Sequence, residues 1–98
     1  MSNQTRNRTG DVIRLDAARV AWREIDGEIV AVDMQTAEYL TMNGTGAVIW
    51  EALAAGTTQA GLAGRLVDEY EISPHRAGED VAAFLQTLRE RGLVTAGA

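Results

Sequence analysis

The residues best equipped for chemistry in this sequence are few, and their spacing assembles no catalytic site. The one histidine, His75, follows Pro74 at the predicted start of a helix, with no acid placed to orient it as a general base. Gly44-Thr45-Gly46 resembles the start of a phosphate loop but lacks the following Lys and the remaining glycines. The acidic side chains of Glu69, Glu71, Glu79 and Asp80 are typical of solvated helix ends. The sequence therefore predicts a protein that is not an enzyme.

The amino-acid composition argues against several classes of ligand. There is no cysteine, and one histidine alone cannot build a metal site, so neither a metal nor a cofactor is expected. Nine basic residues, all of them arginine, against fourteen acidic ones give a net charge of −5. Nucleic-acid binding needs clustered positive charge, and these arginines are scattered. We therefore expect no nucleic-acid partner.

Length and the character of the N-terminus set the domain organisation. Ninety-eight residues suffice for one domain with a single core. The first eleven residues are polar and lack the apolar run of a signal peptide or a transmembrane helix. We expect residues 1–11 to form a flexible tail and residues 12–95 to form the domain. The expected location is cytoplasmic, without membrane association.

Three segments rich in β-branched and aromatic residues predict strands. Asp26-Gly27 separates residues 20–25 from residues 28–32 as the two-residue turn of a hairpin. A polar turn then returns the chain to a third strand, residues 37–42, at an edge of the sheet. Residues 11–16 form either a weaker strand or an extended lead-in.

From Thr45 the period of the apolar residues becomes helical, and three helices are predicted. Their start and stop signals are Thr45, Gly56, Thr57 or Thr58, Ser73, Pro74 and Gly92. The order is βββααα, an α+β fold in which a three-stranded antiparallel sheet packs against three helices. The expected core includes Trp22, Ile49, Trp50, Leu53, Val81 and Leu85.

The third strand presents an unusual edge. Tyr39-Leu40-Thr41-Met42 contains neither the charge nor the proline with which natural sheets protect a free edge. Such an edge is either covered by the N-terminal lead-in or reserved for a strand from a partner. The sequence pattern favours neither reading.

Two runs of residues carry a family resemblance. Glu38 to Trp50, reading EYLTMNGTGAVIW, is followed by Asp80 to Leu88, reading DVAAFLQTL, and by Gly92-Leu93-Val94. Together they resemble the PqqD-like family, the peptide-recognition domains of pathways that modify ribosomally made peptides. The resemblance spans about residues 20–94. Met42 departs from it, because the family more often has Leu before the Asn, but this exchange preserves volume.

The resemblance implies a winged-helix-like fold that binds the leader segment of a precursor peptide. The leader adds as a strand to the third β-strand and packs on the third helix, so that main-chain bonds fix register and alternate side chains give specificity. Carried onto this chain, the peptide-binding residues are Glu38, Tyr39, Leu40, Thr41, Met42, Asp80, Phe84, Thr87, Leu88 and Arg91. Phe84 and Leu88 either floor a pocket for an aromatic leader side chain or belong to the core.

The form of these motifs also implies partners. They are most similar to the free-standing leader-binding proteins of lasso-peptide biosynthesis, with the branch acting in pyrroloquinoline quinone synthesis as the nearest alternative. The implied partners are a leader peptidase of the transglutaminase-like cysteine protease type and an asparagine-synthetase-like cyclase. A different class, the winged-helix DNA-binding regulators, is permitted by the topology and opposed by the acidic balance.

Overall fold

The computed structural model describes residues 11–96. The predicted tail therefore lies outside the described residues, apart from Asp11. The elements, in chain order, are β1 (Val12–Leu15), β2 (Val20–Ile25), β3 (Glu28–Asp33), β4 (Tyr39–Met42), α1 (Gly44–Ala55), β5 (Thr57–Thr58), α2 (Gln59–Tyr70), α3 (Pro74–Arg91) and β6 (Val94–Ala96). The predicted third strand is β4. The α+β prediction is confirmed, with three short additional strands.

The main sheet has the antiparallel order β2-β3-β4, which places β4 at an edge. Asp26 and Gly27 both have positive φ, 53° and 81°, as the predicted two-residue turn between β2 and β3 requires. The register pairs Trp22 with Ala31 and Ala31 with Leu40. Those three residues share the inner face of the sheet, which is turned towards the helices.

A β-bulge connects β3 to β4. The Asp33 carbonyl accepts from the Ala37 N–H at 2.6 Å, while the Asp33 N–H donates to the Glu38 carbonyl at 2.8 Å. Two residues of the returning strand, Ala37 and Glu38, thus lie opposite the single residue Asp33. Ala37, the first of the two, has a φ of 65°, in the left-handed region. The bulge determines which residues of β4 direct their main-chain groups towards β3.

The N-terminal lead-in does not cover β4. β1 pairs with β5 on one side and with β6 on the other, forming a second small sheet. The reading in which the lead-in protects the edge of β4 is therefore wrong for residues 11–16. Within the described part of the chain, the outer edge of β4 pairs with no strand.

The helices begin and end where the sequence predicts. The hydroxyls of Thr58 and Ser73 accept hydrogen bonds from backbone N–H groups at 2.9 and 3.1 Å, as N-caps do. Pro74 takes the first turn of α3, and Gly92 ends that helix with a φ of 74°.

The core lies between the inner face of the main sheet and the helices. Trp50 and Leu53 of α1 are fully buried, as are Val81 and Leu85 of α3. Trp22 departs from its predicted place in the core, since it is 37% exposed. Its ring meets Trp50 edge to face, with centroids 6.3 Å apart. It stays partly exposed because β2 is the other edge strand of the main sheet in residues 11–96.

Candidate functional site

The open edge of β4 presents the main chain of two residues. Because the Asp33 N–H donates to the Glu38 carbonyl, these two residues form a hydrogen-bonded pair of the antiparallel ladder. Such pairs alternate along the ladder, so Leu40 also directs its N–H and C=O towards β3. Tyr39 and Thr41 then direct theirs outward. The edge therefore offers the groups that a strand from another chain needs.

The side chains of β4 alternate between the two faces of the sheet in step with its main-chain groups. Leu40 and Met42 lie on the inner face and pack partly buried against the core. Tyr39 and Thr41 lie on the outer face, where Tyr39 is 76% exposed. A strand added at this edge would face both sets of side chains.

Helix α3 faces β4 along a line that we call the seam. At its centre, a Cβ built on Gly46 would lie 3.5 Å from the Met42 Cβ and 3.6 Å from the Phe84 Cε1. The ring of Phe84 thus converges with Met42 on the first turn of α1. These are ordinary van der Waals distances, so strand β4 and helices α1 and α3 meet at Gly46.

An ion pair joins the two sides at one end of the seam. Arg91 Nη1 lies 3.4 Å from Glu38 Oε1, although the two residues are far apart in sequence. Phe84 and Arg91 are two helical turns apart, so Thr87 lies on the same stripe of α3 and Asp80 continues it by one turn. Thr87 bonds back to the Ala83 carbonyl at 3.3 Å. Phe84 and Arg91 of the predicted helix stripe therefore lie beside the predicted strand.

The end of the seam is anchored by a buried carboxylate. Asp33 is 2% exposed, and Arg19 contacts both of its oxygens, at 2.8 and 3.3 Å. The hydrogen bond from Arg19 is the main reason that the pKa of Asp33 falls from 3.8 to about 2. The Arg19 guanidinium also lies against Gly92, within 2.8 Å of where a Cβ would be. One arginine thus ties the β3–β4 bulge to the end of α3.

Phe84 and Leu88 have different environments. Leu88 is 1% exposed and belongs to the buried core, whereas Phe84 is only partly buried. Leu88 therefore belongs to the core, and Phe84 is the more accessible of the two residues.

The chemistry available elsewhere is sparse. His75 Nε2 lies 3.2 Å from Glu79 Oε2, and both side chains are largely exposed, as in an ordinary surface pair. Among residues 11–96, no three potential metal ligands come together. No helix in that part of the chain is long and apolar enough to cross a membrane.

Sequence reasoning missed Gly46, Arg19 and the apolar outer side chains Val30 and Val32. Gly46 enters the sequence analysis only through an incomplete phosphate-loop motif, yet it lies where three elements meet. A signal for the valines was present, because Ile29-Val30-Ala31-Val32 is apolar without alternation, a pattern typical of strands covered on both faces.

A sheet edge that offers free main-chain groups beside a helix carrying the partly buried ring of Phe84 defines a domain suited to strand addition. Comparison with known proteins places this domain in a family. Residues 28–94 match the family described as coenzyme PQQ synthesis protein D (PqqD). The chain belongs to that family, which confirms the resemblance drawn from its motifs. A search of curated proteins found no match.

Two solved structures are similar to this chain. TbiB1 in complex with the TbiA(beta) leader peptide has a TM-score of 0.77 and 25% identity, over 83% of this chain and 93% of that one. A lasso peptide synthetase B1 complexed with the leader peptide has a TM-score of 0.74 and 31% identity, over 85% of this chain and 96% of that one. Both similar proteins were thus solved with a leader peptide bound.

Proposed function

We propose that this protein binds the leader segment of a ribosomally made precursor peptide as an added strand on the outer edge of β4. The observation that carries the proposal is the outward main chain of Tyr39 and Thr41 beside the Phe84 side of α3. The leader-peptide complexes of the two similar proteins support it. In this proposal Glu38 to Met42 supply the strand edge, while Asp80, Phe84, Thr87 and Arg91 contact the leader from α3.

The binding is proposed to be non-catalytic. The bound precursor is delivered to a leader peptidase of the transglutaminase-like cysteine protease type, and then to an asparagine-synthetase-like cyclase, in lasso-peptide biosynthesis. No group in residues 11–96 combines a nucleophile with an oriented base, so the chemistry falls to those partners. Incubation of this protein alone with precursor and ATP should leave the mass of the precursor unchanged.

A fluorescence-anisotropy titration tests the binding directly. The probe is a labelled synthetic leader of the precursor encoded in the same gene cluster, and a scrambled leader is the control. We expect saturation with a free energy of about −8 to −10 kcal/mol, that is, a micromolar to sub-micromolar Kd. No binding at tens of micromolar protein would contradict the proposal.

Hydrogen exchange tests the strand addition itself. The amides of Leu40 and Met42 are already bonded to β3, so they should be protected with or without leader. The amides of Tyr39 and Thr41 should gain protection only when the leader is bound. Protection that leaves Tyr39 and Thr41 unchanged at saturating leader would place the peptide elsewhere.

The family description favours a second pathway, pyrroloquinoline quinone synthesis. The same edge would serve a precursor from that pathway, and the two readings differ in the peptide recognised. Parallel titrations with a lasso leader and with the precursor of that quinone discriminate them. We expect the lasso leader to bind more tightly.

A further inference from the structure

The outer face of the main sheet is more apolar than a solvent-facing sheet requires. Along β3, Ile29 and Ala31 are buried in the core, so Val30 and Val32 point to the opposite face. Antiparallel sheets with one face in water normally alternate apolar with polar residues. β3 instead has the composition of a strand that is covered on both faces.

This face also has a suitable shape. A depression of about 250 Å³ lies over β2 and β3, with Val30 and Val32 among its lining residues and Tyr39 at its border on β4. Val30 and Val32 are half-buried, whereas Tyr39 is 76% exposed. A large aromatic ring left in water beside an apolar depression is the kind of surface that gains most from a contact.

A strand added to β4 necessarily places side chains on this face. Tyr39 and Thr41 are the residues that would form its hydrogen-bonded pairs, and directly opposite residues of a ladder share one face. Their Cβ atoms would lie about 4.5–5.5 Å from those of the added strand. The leader side chains opposite Tyr39 and Thr41 would therefore lie over the outer face.

The local register distinguishes the two positions. Thr41 lies opposite Val30, and Tyr39 lies opposite Val32. Because Thr41 is short, a large side chain facing it can lean across it to Val30 and meet the flank of the Tyr39 ring. A large side chain facing Tyr39 would be held off by that ring.

On the basis of the leader binding proposed above, we propose that the outer face is a second recognition site for the leader. It takes a bulky aliphatic or aromatic side chain at the leader position opposite Thr41. The leader strand then makes contacts on both of its faces, with Phe84 at the seam and with Val30 and Tyr39 on the outer face.

An alanine scan of the leader tests this without altering the protein. Contacts at the seam alone would make affinity depend on every second residue of the added strand. Contacts on both faces would make affinity depend also on a residue between those alternate positions. Alanine at that residue should weaken leader binding about tenfold. If only alternate positions are sensitive, the second site is wrong.

A pair of matched variants tests the protein side. Val30→Arg adds a second charge to the depression, beside that of Arg23, and replaces its apolar floor, whereas Ile25→Arg makes the same kind of change on the same face at the far end of β2, where Ile25 is 48% exposed. We expect Val30→Arg to weaken leader binding about tenfold or more and Ile25→Arg to change it less than about twofold. Thermal midpoints show whether both proteins are folded, and Tyr39→Ala serves as the second variant if Val30→Arg is not.

A double-mutant cycle joins the two tests. Once the bulky leader residue is alanine, Val30→Arg should cost little more affinity, because both changes remove the same contact. Additive losses would overturn the inference. If the leader protects the Tyr39 and Thr41 amides while Val30→Arg and Tyr39→Ala bind normally, the second site fails and strand addition stands. If the wild-type protein binds no leader, the proposed function fails as well.

Discussion

The main-chain N–H of Asp33 donates to the carbonyl oxygen of Glu38 across 2.8 Å, and this bond sets the orientation of every residue on β4. Since hydrogen-bonded pairs alternate along an antiparallel ladder, it turns Leu40 towards β3 and Thr41 towards the open edge. Two neighbouring residues, the partly buried Leu40 and the exposed Thr41, thus have opposite roles. One holds the sheet together, and the other is available to a partner.

Proline substitutions separate those roles. Thr41→Pro removes an outward N–H from an edge strand, a position that proline tolerates, so we expect leader binding to fall sharply with a small loss of stability. Leu40→Pro removes a ladder bond to β3 and should lower the free energy of unfolding by about 1–3 kcal/mol. Thermal melts and anisotropy titrations on both variants supply the measurements. Wild-type affinity in folded Thr41→Pro would rule out strand addition at this edge.

Alanine substitutions on α3 separate ligand contact from packing. Phe84→Ala removes the apolar side chain of the seam, and we expect weaker leader binding with a loss of stability on the order of 2 kcal/mol, since the ring is only partly buried. Leu88→Ala is the control, because Leu88 is 1% exposed. It should cost about 2–5 kcal/mol of stability and leave the affinity of the folded fraction unchanged. The reverse pattern would assign the leader contact to the wrong residue.

Helix caps and turns, which depend on a few adjacent residues, were the features best predicted from the sequence. The caps at Thr58 and Ser73 and the turn at Asp26-Gly27 are specified by the chemistry of a few adjacent residues, and all three were predicted correctly. The element order follows from such signals together with the apolar periodicity. The resemblance in the motifs then indicated the family, which periodicity alone does not identify.

What the sequence left open depends on distant contacts. Main-chain groups alternate in direction along a strand, so those of Leu40 and Thr41 must point opposite ways, but the sequence does not say which points outward. The bulge at Ala37 determines that Thr41 does. Phe84 and Leu88 are one helical turn apart, and only the tertiary packing shows that Leu88 is buried while Phe84 is partly buried. Likewise the pairing of β1 with β5 and β6 joins segments far apart in sequence, so its own residues could not reveal it.

Two glycines of α3 should respond to alanine in opposite directions. Gly78 lies inside the helix, and a Cβ there would meet no heavy atom within 4 Å. Gly78→Ala should therefore stabilise the protein by about 0.5–1 kcal/mol. Gly92 has a φ of 74°, and Gly92→Ala should destabilise it by about 1–2 kcal/mol. Urea unfolding of the two variants beside wild type checks both signs, and equal shifts would contradict the assigned helix end.

Leader binding should depend weakly on salt. The main-chain groups of Tyr39 and Thr41 are neutral, and Phe84 contributes apolar contact. The charged contact residues already have partners, Arg91 with Glu38 and Asp80 with Arg76, so few counterions are released when the peptide binds. We expect Kd to change less than about threefold between about 50 and 500 mM NaCl, whereas binding to DNA would weaken by orders of magnitude. Anisotropy titrations with leader and with a duplex DNA probe make the comparison. A steep salt dependence for the leader would show that charge, not strand addition, dominates recognition.

Stability at low pH should report on Asp33. Arg19 lowers the pKa of this carboxyl from 3.8 to about 2, so their interaction stabilises the fold above pH 3.8 and is lost as the pH falls from 3.8 towards 2. Asp33→Asn lacks the charge, and we expect it to be less stable than wild type at neutral pH. The gap should narrow through that window, because protonated Asp33 resembles asparagine. Urea unfolding of both proteins across the window measures the gap, and the other carboxylates cancel because they titrate in both. A gap independent of pH would mean that the charge of Asp33 does not stabilise the fold.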